Sequence, residues 1–339
     1  MVECLYYLPK GSRILVTGAN GFVGSNVIHH LLELGFRVRG TVRAAKPWLD
    51  KMFRDKFGED SYESVILTNF DNVDTLFEVL DGISGVAHVA TDVSFSPNTE
   101  KVIPWVVMAI ENLLEAASRR SDIKRVVMTS SAIAALFPVS NKEIVVREDS
   151  WNNDAIKAAE DPNAPEHLKG FFGYAASKTE AEKAAWKWVK DNNPNFQFNT
   201  VLPDFTLGRI LHKEIGGSTM AWVRGLVAGN GQIFQTFVPQ YFADVGDIAR
   251  LHAAALLEPS TVSRRLFGFA IPVNVTDIIS VVRKLRPEST LIPDPPVDDG
   301  RDLSVVLPAK EAERLLREFC GRDGWTSLEE SIAQGLEGC

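Results

Sequence analysis

Cysteine is scarce in this chain: 3 in 339 residues. Cys4, Cys320 and Cys339 are odd in number and far apart, which argues against a disulfide framework and suits a reducing compartment. Histidine is equally thin, at 6. His29, His30, His88, His167, His212 and His252 fall at no ligand spacing with the cysteines, so no metal site is expected, and His88, inside an apolar strand, reads as a core histidine. Excess positive charge is missing too: 36 Lys and Arg face 44 Asp and Glu, a formal net charge of -8. That balance argues against nucleic acid or an anionic membrane as partner. Long apolar runs are also absent. Uncharged stretches such as Gly225 to Ala243 are broken by Asn, Gln, Gly and Pro, and Glu3 interrupts the start before a signal core can form. Neither a transmembrane nor a secretory segment is expected, and the expected location is cytoplasmic. Asn274-Val275-Thr276 matches a glycosylation acceptor that is idle in that setting. No internal repeat or low-complexity tract is visible.

What is present begins with glycine. Gly18-Ala19-Asn20-Gly21-Phe22-Val23-Gly24 follows the apolar run Arg13-Ile14-Leu15-Val16-Thr17. It precedes a helical pattern from Phe22 to Leu34, with Phe22, Val23, Val27, Leu31, Leu32 and Leu34 on its apolar positions. A glycine-rich turn between strand and helix lets backbone amides approach a pyrophosphate, and the helix dipole attracts it. The spacing is G-x-x-G-x-x-G rather than the commoner G-x-G-x-x-G, so the flanking strand and helix carry the argument.

The 45% hydrophobic content is enough for one large domain or one and a half. Strand-like runs at Arg13 to Thr17, Arg37 to Val42, Tyr62 to Leu67, Val86 to Val89, Arg125 to Thr129 and Phe198 to Leu202 alternate with helical segments. This predicts an α/β fold, a Rossmann-type doubly wound parallel sheet with a smaller C-terminal substrate-binding lobe. Residues 1–202 form the dinucleotide-binding part, with 243–258 returning to it. Residues 203–339 are mainly the lobe and C-terminal helices, the last two after the turn Pro293-Asp294-Pro295-Pro296. Ligands in such sheets bind beyond the carboxyl ends of the strands, where Gly18, Ala90, Ser131 and Pro203 fall.

Two further motifs reach the same edge. Thr129-Ser130-Ser131 ends one strand, and Tyr174-Ala175-Ala176-Ser177-Lys178 is expected to open a long helix. Residues four apart share a helix face, so the phenol and the ammonium point the same way. A phenol with a pKa of about 10 is a poor proton donor unless its anion is stabilised, and a neighbouring ammonium is expected to lower it. Ser131 can donate to an oxygen on which negative charge develops, or simply cap the strand end.

These motifs, with Val86-Ala87-His88-Val89-Ala90, Leu202-Pro203, Ala184-Ala185-Trp186-Lys187 and Gly324-Trp325-Thr326-Ser327-Leu328-Glu329-Glu330-Ser331-Ile332, resemble the extended short-chain dehydrogenase/reductases. Within them the chain is most similar to the dihydroflavonol reductase-like branch that includes fungal and yeast NADPH-dependent carbonyl (aldehyde) reductases. The resemblance implies Ser131, Tyr174 and Lys178 as a catalytic triad. It implies cofactor contacts at Gly18, Asn20, Gly21, Phe22, Val23, Arg43, Asn69, Phe70, Ala90, Thr91, Lys178, Pro203 and Thr206. It also implies a substrate pocket at Phe95, Phe171, Phe172, Phe205, Trp222, Phe237, Val238 and Gln240, some of them core packing.

The strand Arg37 to Val42 ends without the acid that NAD-preferring sites use for the ribose hydroxyls. Arg43 stands where relatives place the arginine that pairs with a 2′-phosphate, with Arg39 and Lys46 adding positive charge, so NADPH is the expected cofactor. Relatives carry an acid near the adenine where this chain has Asn69. The expected activity is NADPH-dependent reduction of aldehydes and ketones, such as aryl ketones and keto esters, by hydride transfer with Tyr174 as general acid. The alternatives are a non-catalytic NADP-binding sensor, which typically lacks the tyrosine or lysine, and a nucleotide-sugar epimerase or dehydratase, which the aromatic pocket disfavours. A small-molecule carbonyl substrate is the expected partner, the chain being a monomer or homodimer. Asn112 either anchors a proton-relay water or serves in capping and packing.

Overall fold

Short runs of Val, Ile and Leu without polar alternation suit strands covered on both faces. The computed structural model, which describes residues 6–338, places them so. Strands β1 (Arg13–Thr17), β2 (Arg37–Val42), β3 (Tyr62–Ile66), β4 (Gly85–His88) and β5 (Arg125–Thr129) form most of one sheet. A two-residue strand, β6 (Val145–Val146), stands apart, and β7 (Gln197–Pro203) returns to the sheet. With β10 (Arg265–Gly268) the order is β10-β7-β5-β4-β1-β2-β3, every pairing parallel. The chain reverses direction across the sheet between β1 and β4, which is where such folds hold ligands.

Helices cover both faces. On one lie α1 (Phe22–Glu33) and α2 (Pro47–Phe57); on the other lie α3 (Val73–Val79), α4 (Thr99–Ser118) and the long α6 (Glu166–Asn192), which packs α5 (Asn153–Glu160) at its side. The lobe is built from α7 (Thr219–Val227), α9 (Val275–Leu285), and a small sheet of β8 (Phe205–Leu207), β9 (Gln240–Asp244) and β11 (Ile271–Val273), ordered β11-β9-β8. Between those lobe segments α8 (Val245–Leu257) returns to the main body, where its buried Ile248, Leu251 and Ala255 join the core with α1. Strand β12 (Val305–Val306) pairs with β6. Of the last helices, α10 (Ala309–Glu318) buries Ala312, Leu315 and Leu316 in the main core, whereas α11 (Leu328–Gly335) buries Leu328 and Ile332 in the lobe.

Several expectations shift. The region after residue 202 contributes a strand, β10, and a helix, α10, to the main body. Tyr174 does not open its helix but lies in the third turn of α6, which starts at Glu166. Asn274 is buried and caps α9, accepting from Asp277 N–H while its amide donates to Asp299 and to Gly300 O, so the glycosylation motif is absorbed into structure. Among the described residues no helix is long and apolar enough to cross a membrane.

Candidate active site

The glycine turn is fixed by contacts that no larger residue permits. Gly18 has φ +70, a left-handed conformation suited to glycine, and a Cβ there would come within 3.2 Å of the Ala90 backbone. A Cβ on Gly24 would overlap the carbonyl oxygen of Gly18, so α1 sits directly on the turn. Gly21 N–H donates to Gly18 O at 3.0 Å. Gly21 is also the N-cap of α1 and offers no capping side chain, which leaves first-turn amides for an anion. Thr17 ties this turn to its neighbour: its hydroxyl accepts from the Val89 and Ala90 amides, both at 3.0 Å. Its own proton goes to Nδ1 of His88, 3.0 Å away. His88 is therefore a neutral core histidine, and burial, then the nearby Lys178 charge, pushes it down to about 3.

These groups fit a dinucleotide. One buried polar atom at this edge, the hydroxyl of Thr91, has no hydrogen-bond partner among the described residues, a donor awaiting an acceptor. Arg43 is exposed at the end of β2 and likewise has no partner there. Arg39, by contrast, is committed: it donates to Glu63 at 2.7 Å and to the carbonyls of Val79 and Asp81. Its expected contribution of free positive charge is thereby corrected. Asn69 is exposed and Phe70 is buried, its ring 5.2 Å from that of His88. Thr206 is buried, and its hydroxyl donates to Asp204 O at 2.8 Å. Pro203 ends β7. Asn112 donates to Phe70 O at 2.9 Å, the packing alternative of its two readings.

Strand β5 delivers Ser131 to the same edge, where it caps a short 3-10 turn by accepting from Ile133 N–H at 3.4 Å. Burial pushes the Tyr174 phenol up, and the Ser131 hydroxyl works against it. Among the protein's own groups, burial rather than the neighbouring ammonium sets the direction; the expected lowering rests on the ammonium together with the positive ring of an oxidised nicotinamide. Lys178 is 2% exposed and donates to Thr129 O at 3.0 Å. Burial pushes it down to about 8, with Glu182 opposing. It remains mostly an ammonium at neutral pH.

Aromatic residues gather in two groups. Phe95, 46% exposed, lies on Tyr174 with ring centroids 4.8 Å apart, and its backbone is left-handed, φ +51. Phe171 and Phe172 contact each other and Phe137. In the lobe, Phe205 packs on Trp222 and Phe237 with centroids 5.9 and 5.0 Å away, and Phe234 extends the group. Phe205 is 3% exposed and belongs to the lobe core rather than to a pocket surface. Val238 is exposed, and Gln240 bonds its carbonyl at 3.3 Å. Sequence reasoning missed Phe137, which no local pattern links to Phe171 and Phe172, and Phe234, three residues before Phe237. It also missed Asp204, directly after Pro203. That carboxyl is raised well above its usual range by burial and by nearby Asp302. Two open surface grooves, one along α2 and β3 and one around residues 283–294, contain none of Ser131, Tyr174 or Lys178.

A parallel sheet reversing at a glycine turn, with a serine, tyrosine and lysine at the same edge, defines a Rossmann-type protein of the short-chain dehydrogenase/reductase class. The sequence matches the description "NAD dependent epimerase/dehydratase family" over residues 14–266, and the chain belongs to that family. It is 42% identical to a ketoreductase of Aspergillus novofumigatus over 339 residues, covering 99% of each chain. It is 40% identical to aldehyde reductase 2 of Sporidiobolus salmonicolor, covering 96% of this chain and 95% of that one. Its fold matches the yeast methylglyoxal/isovaleraldehyde reductase Gre2, solved with NADPH, at TM-score 0.78 and 20% identity, covering 96% and 97% of the two chains.

Proposed function

We propose that this protein is an NADPH-dependent carbonyl reductase acting on aldehydes and ketones, aryl ketones and keto esters among them. The observation that carries the reading is the convergence of Ser131, just after β5, with Tyr174 and Lys178 one turn apart on α6, the lysine buried and bonded to Thr129 O at the end of β5, all at the edge where the glycine turn lies. Full-length similarity to a ketoreductase and an aldehyde reductase supports the activity, and a structural relative solved with NADPH supports the cofactor. Gly18, Asn20, Gly21, Phe22 and Val23 would hold the pyrophosphate end, Thr91 and Pro203 the other end, and Arg43 the 2′-phosphate. When bound, NADPH supplies a hydride for the carbonyl carbon. Tyr174, kept protonated by its burial, is the proton source for the carbonyl oxygen. Ser131 donates to that oxygen as charge develops on it. Lys178 keeps a positive charge beneath the pair. Exposed Phe95 and Phe171 favour an apolar or aryl substituent over a nucleotide diphosphate. The intact tyrosine and lysine favour an enzyme over a sensor.

NADPH consumption against a panel of aldehydes, keto esters, dihydroflavonols and sugar nucleotides tests this. Turnover of carbonyl compounds is expected, and turnover confined to sugar nucleotides would replace the reading. Tyr174→Phe is expected to lower kcat by about 10²–10⁴-fold with NADPH affinity nearly unchanged; full activity in that variant removes the proposed acid.

A further inference from the structure

Beneath the reaction centre lies a buried ion pair that the proton transfer does not use. Glu182 is one turn after Lys178 on α6 and fully buried. Its carboxylate accepts from Ser130 Oγ and Thr200 Oγ1, both at 2.7 Å. It also accepts from Arg265 Nε at 2.8 Å and Nη2 at 3.1 Å, a two-pronged pair. Arg265 is itself 7% exposed, donates to Glu148 O and Ser150 O at 2.7 Å, and lies 3.9 Å above the ring of Trp151. Four elements thus converge on one carboxylate: the end of β5 beside Ser131, β7 three residues before Pro203, the start of β10, and the helix carrying Tyr174 and Lys178.

Taking two charges out of water is costly, and apolar residues of similar volume often stabilise a fold as well or better. A buried pair aimed at the strand ends therefore invites a reason beyond stability. Resting on the carbonyl-reductase reading, the geometry points to Glu182 as a positioning residue that sets α6 against β5 through Ser130 and holds its carboxylate one helical turn from Lys178. The groups facing Lys178 are Tyr174 and Glu182 on its own helix, the Thr129 carbonyl on β5, and neutral His88 on β4. Of these, Glu182 favours the ammonium against the burial that opposes it. Ser130, anchored to Glu182, precedes Ser131 by one peptide. Loss of the carboxylate should therefore disturb both the charge of the lysine and the aim of the serine.

The test labels lysines with carbon-13 at the ε position, assigns Lys178 by its loss in Lys178→Arg, and follows its titration by NMR. Wild type, Glu182→Gln and the apolar double variant Glu182→Leu/Arg265→Met are compared, the last because it keeps a filled interior if the single change unfolds. The Lys178 midpoint is expected to fall by about one to two units in Glu182→Gln, and by less in the double variant, which removes both charges of the pair. The kcat for an aryl ketone is expected to fall about 10–100-fold at pH 7, with KM little changed. A midpoint within about 0.3 unit of wild type in folded Glu182→Gln, or full kcat in the double variant, makes the pair a structural brace only and overturns the inference. Titration is read without substrate. A wild-type enzyme inert toward carbonyl compounds would thus sink the functional reading through a separate result.

Discussion

Arg43 and Arg39 are both on or next to β2, four residues apart, yet only one of them is free to read a ligand. Arg39 is held by Glu63 and two backbone carbonyls, whereas Arg43 is exposed and unpaired among the described residues. A guanidinium without an internal partner needs no bond broken to take a phosphate, and a charge-assisted hydrogen bond of that kind contributes about 1.5–3 kcal/mol. Arg43→Ala is therefore expected to reduce the preference for NADPH over NADH, measured as the ratio of kcat/KM values, by about 10–100-fold, while Arg39→Ala alters stability more than preference. An unchanged ratio in Arg43→Ala would show that another group reads the phosphate. Lysine 178 illustrates a different residue-scale point, that burial and not a neighbouring charge dominates at this site. The phenol is pushed up and the ammonium down by the same exclusion of water. At neutral pH this leaves a protonated phenol and a charged amine, the states that the proposed proton transfer uses.

At the scale of elements, what periodicity could reveal was where helices and strands lie, and what it could not reveal was what presses on them. The strand and helix around the glycine turn, and α8 from Val245 to Leu257, follow from apolar spacing alone. The start of α6 was hidden because two glycines, Gly170 and Gly173, fall within its first turns, where glycine is a poor helix former. Those glycines serve packing instead: a Cβ on Gly170 would overlap Phe95 O, and one on Gly173 would lie 2.8 Å from Thr99 Cγ2. The helix accepts poor helix formers so that the Phe95 segment can settle on Tyr174. Strand β10 was hidden by its brevity, and the Glu182–Arg265 pair by a separation of 83 residues. Serine 131, Tyr174 and Lys178 were legible as a set because each sits at a motif-defined strand end or helix face. The docking of α8 on β5 makes its own prediction. His252 is fully buried, receives the Thr129 hydroxyl at 2.7 Å and bonds Ile248 O at 2.8 Å, and burial pushes it down to about 4. Its folded value lies below the unfolded one, so between about pH 6.5 and 4 the unfolded chain binds the extra proton and stability falls as pH falls. His252→Gln removes that term. Relative to wild type, the variant is expected to gain about 2 kcal/mol between pH 8 and pH 5 in denaturant titrations, and a difference that does not vary with pH would show that His252 is not the linked group.

For the whole molecule, the question is how the lobe stays in register with the sheet that carries the glycine turn. Phe22, the first residue of α1, is buried in the lobe core with Phe205 and Leu207. Asn26 on the same helix donates to Phe22 O at 2.9 Å and to Arg209 O at 3.2 Å, across to the segment after β8. Trp48 on α2 packs against both the main core and the lobe core, and stacks on His212 with ring centroids 4.5 Å apart and planes 10° from parallel. The helix whose N-terminus is proposed to receive the pyrophosphate is thus also the helix on which the lobe is seated, so anything that loosens the seat should weaken cofactor binding from a distance. Trp48 is only partly buried, so Trp48→Ala is expected to cost about 1–3 kcal/mol, and the Trp48–His212 coupling in a double-mutant cycle should be about 0.5–1.5 kcal/mol. If the lobe seat and the cofactor site are linked, NADPH must bind Trp48→Ala more weakly than wild type, by the factor that separates the seated from the loosened state. NADPH at 100 times the wild-type Kd stabilises the wild-type fold by about 2.7 kcal/mol, and a smaller increment is expected in the variant at the same concentration. Thermal denaturation of both proteins with and without NADPH checks this, and equal increments would show that the stack holds the lobe without communicating with the glycine turn.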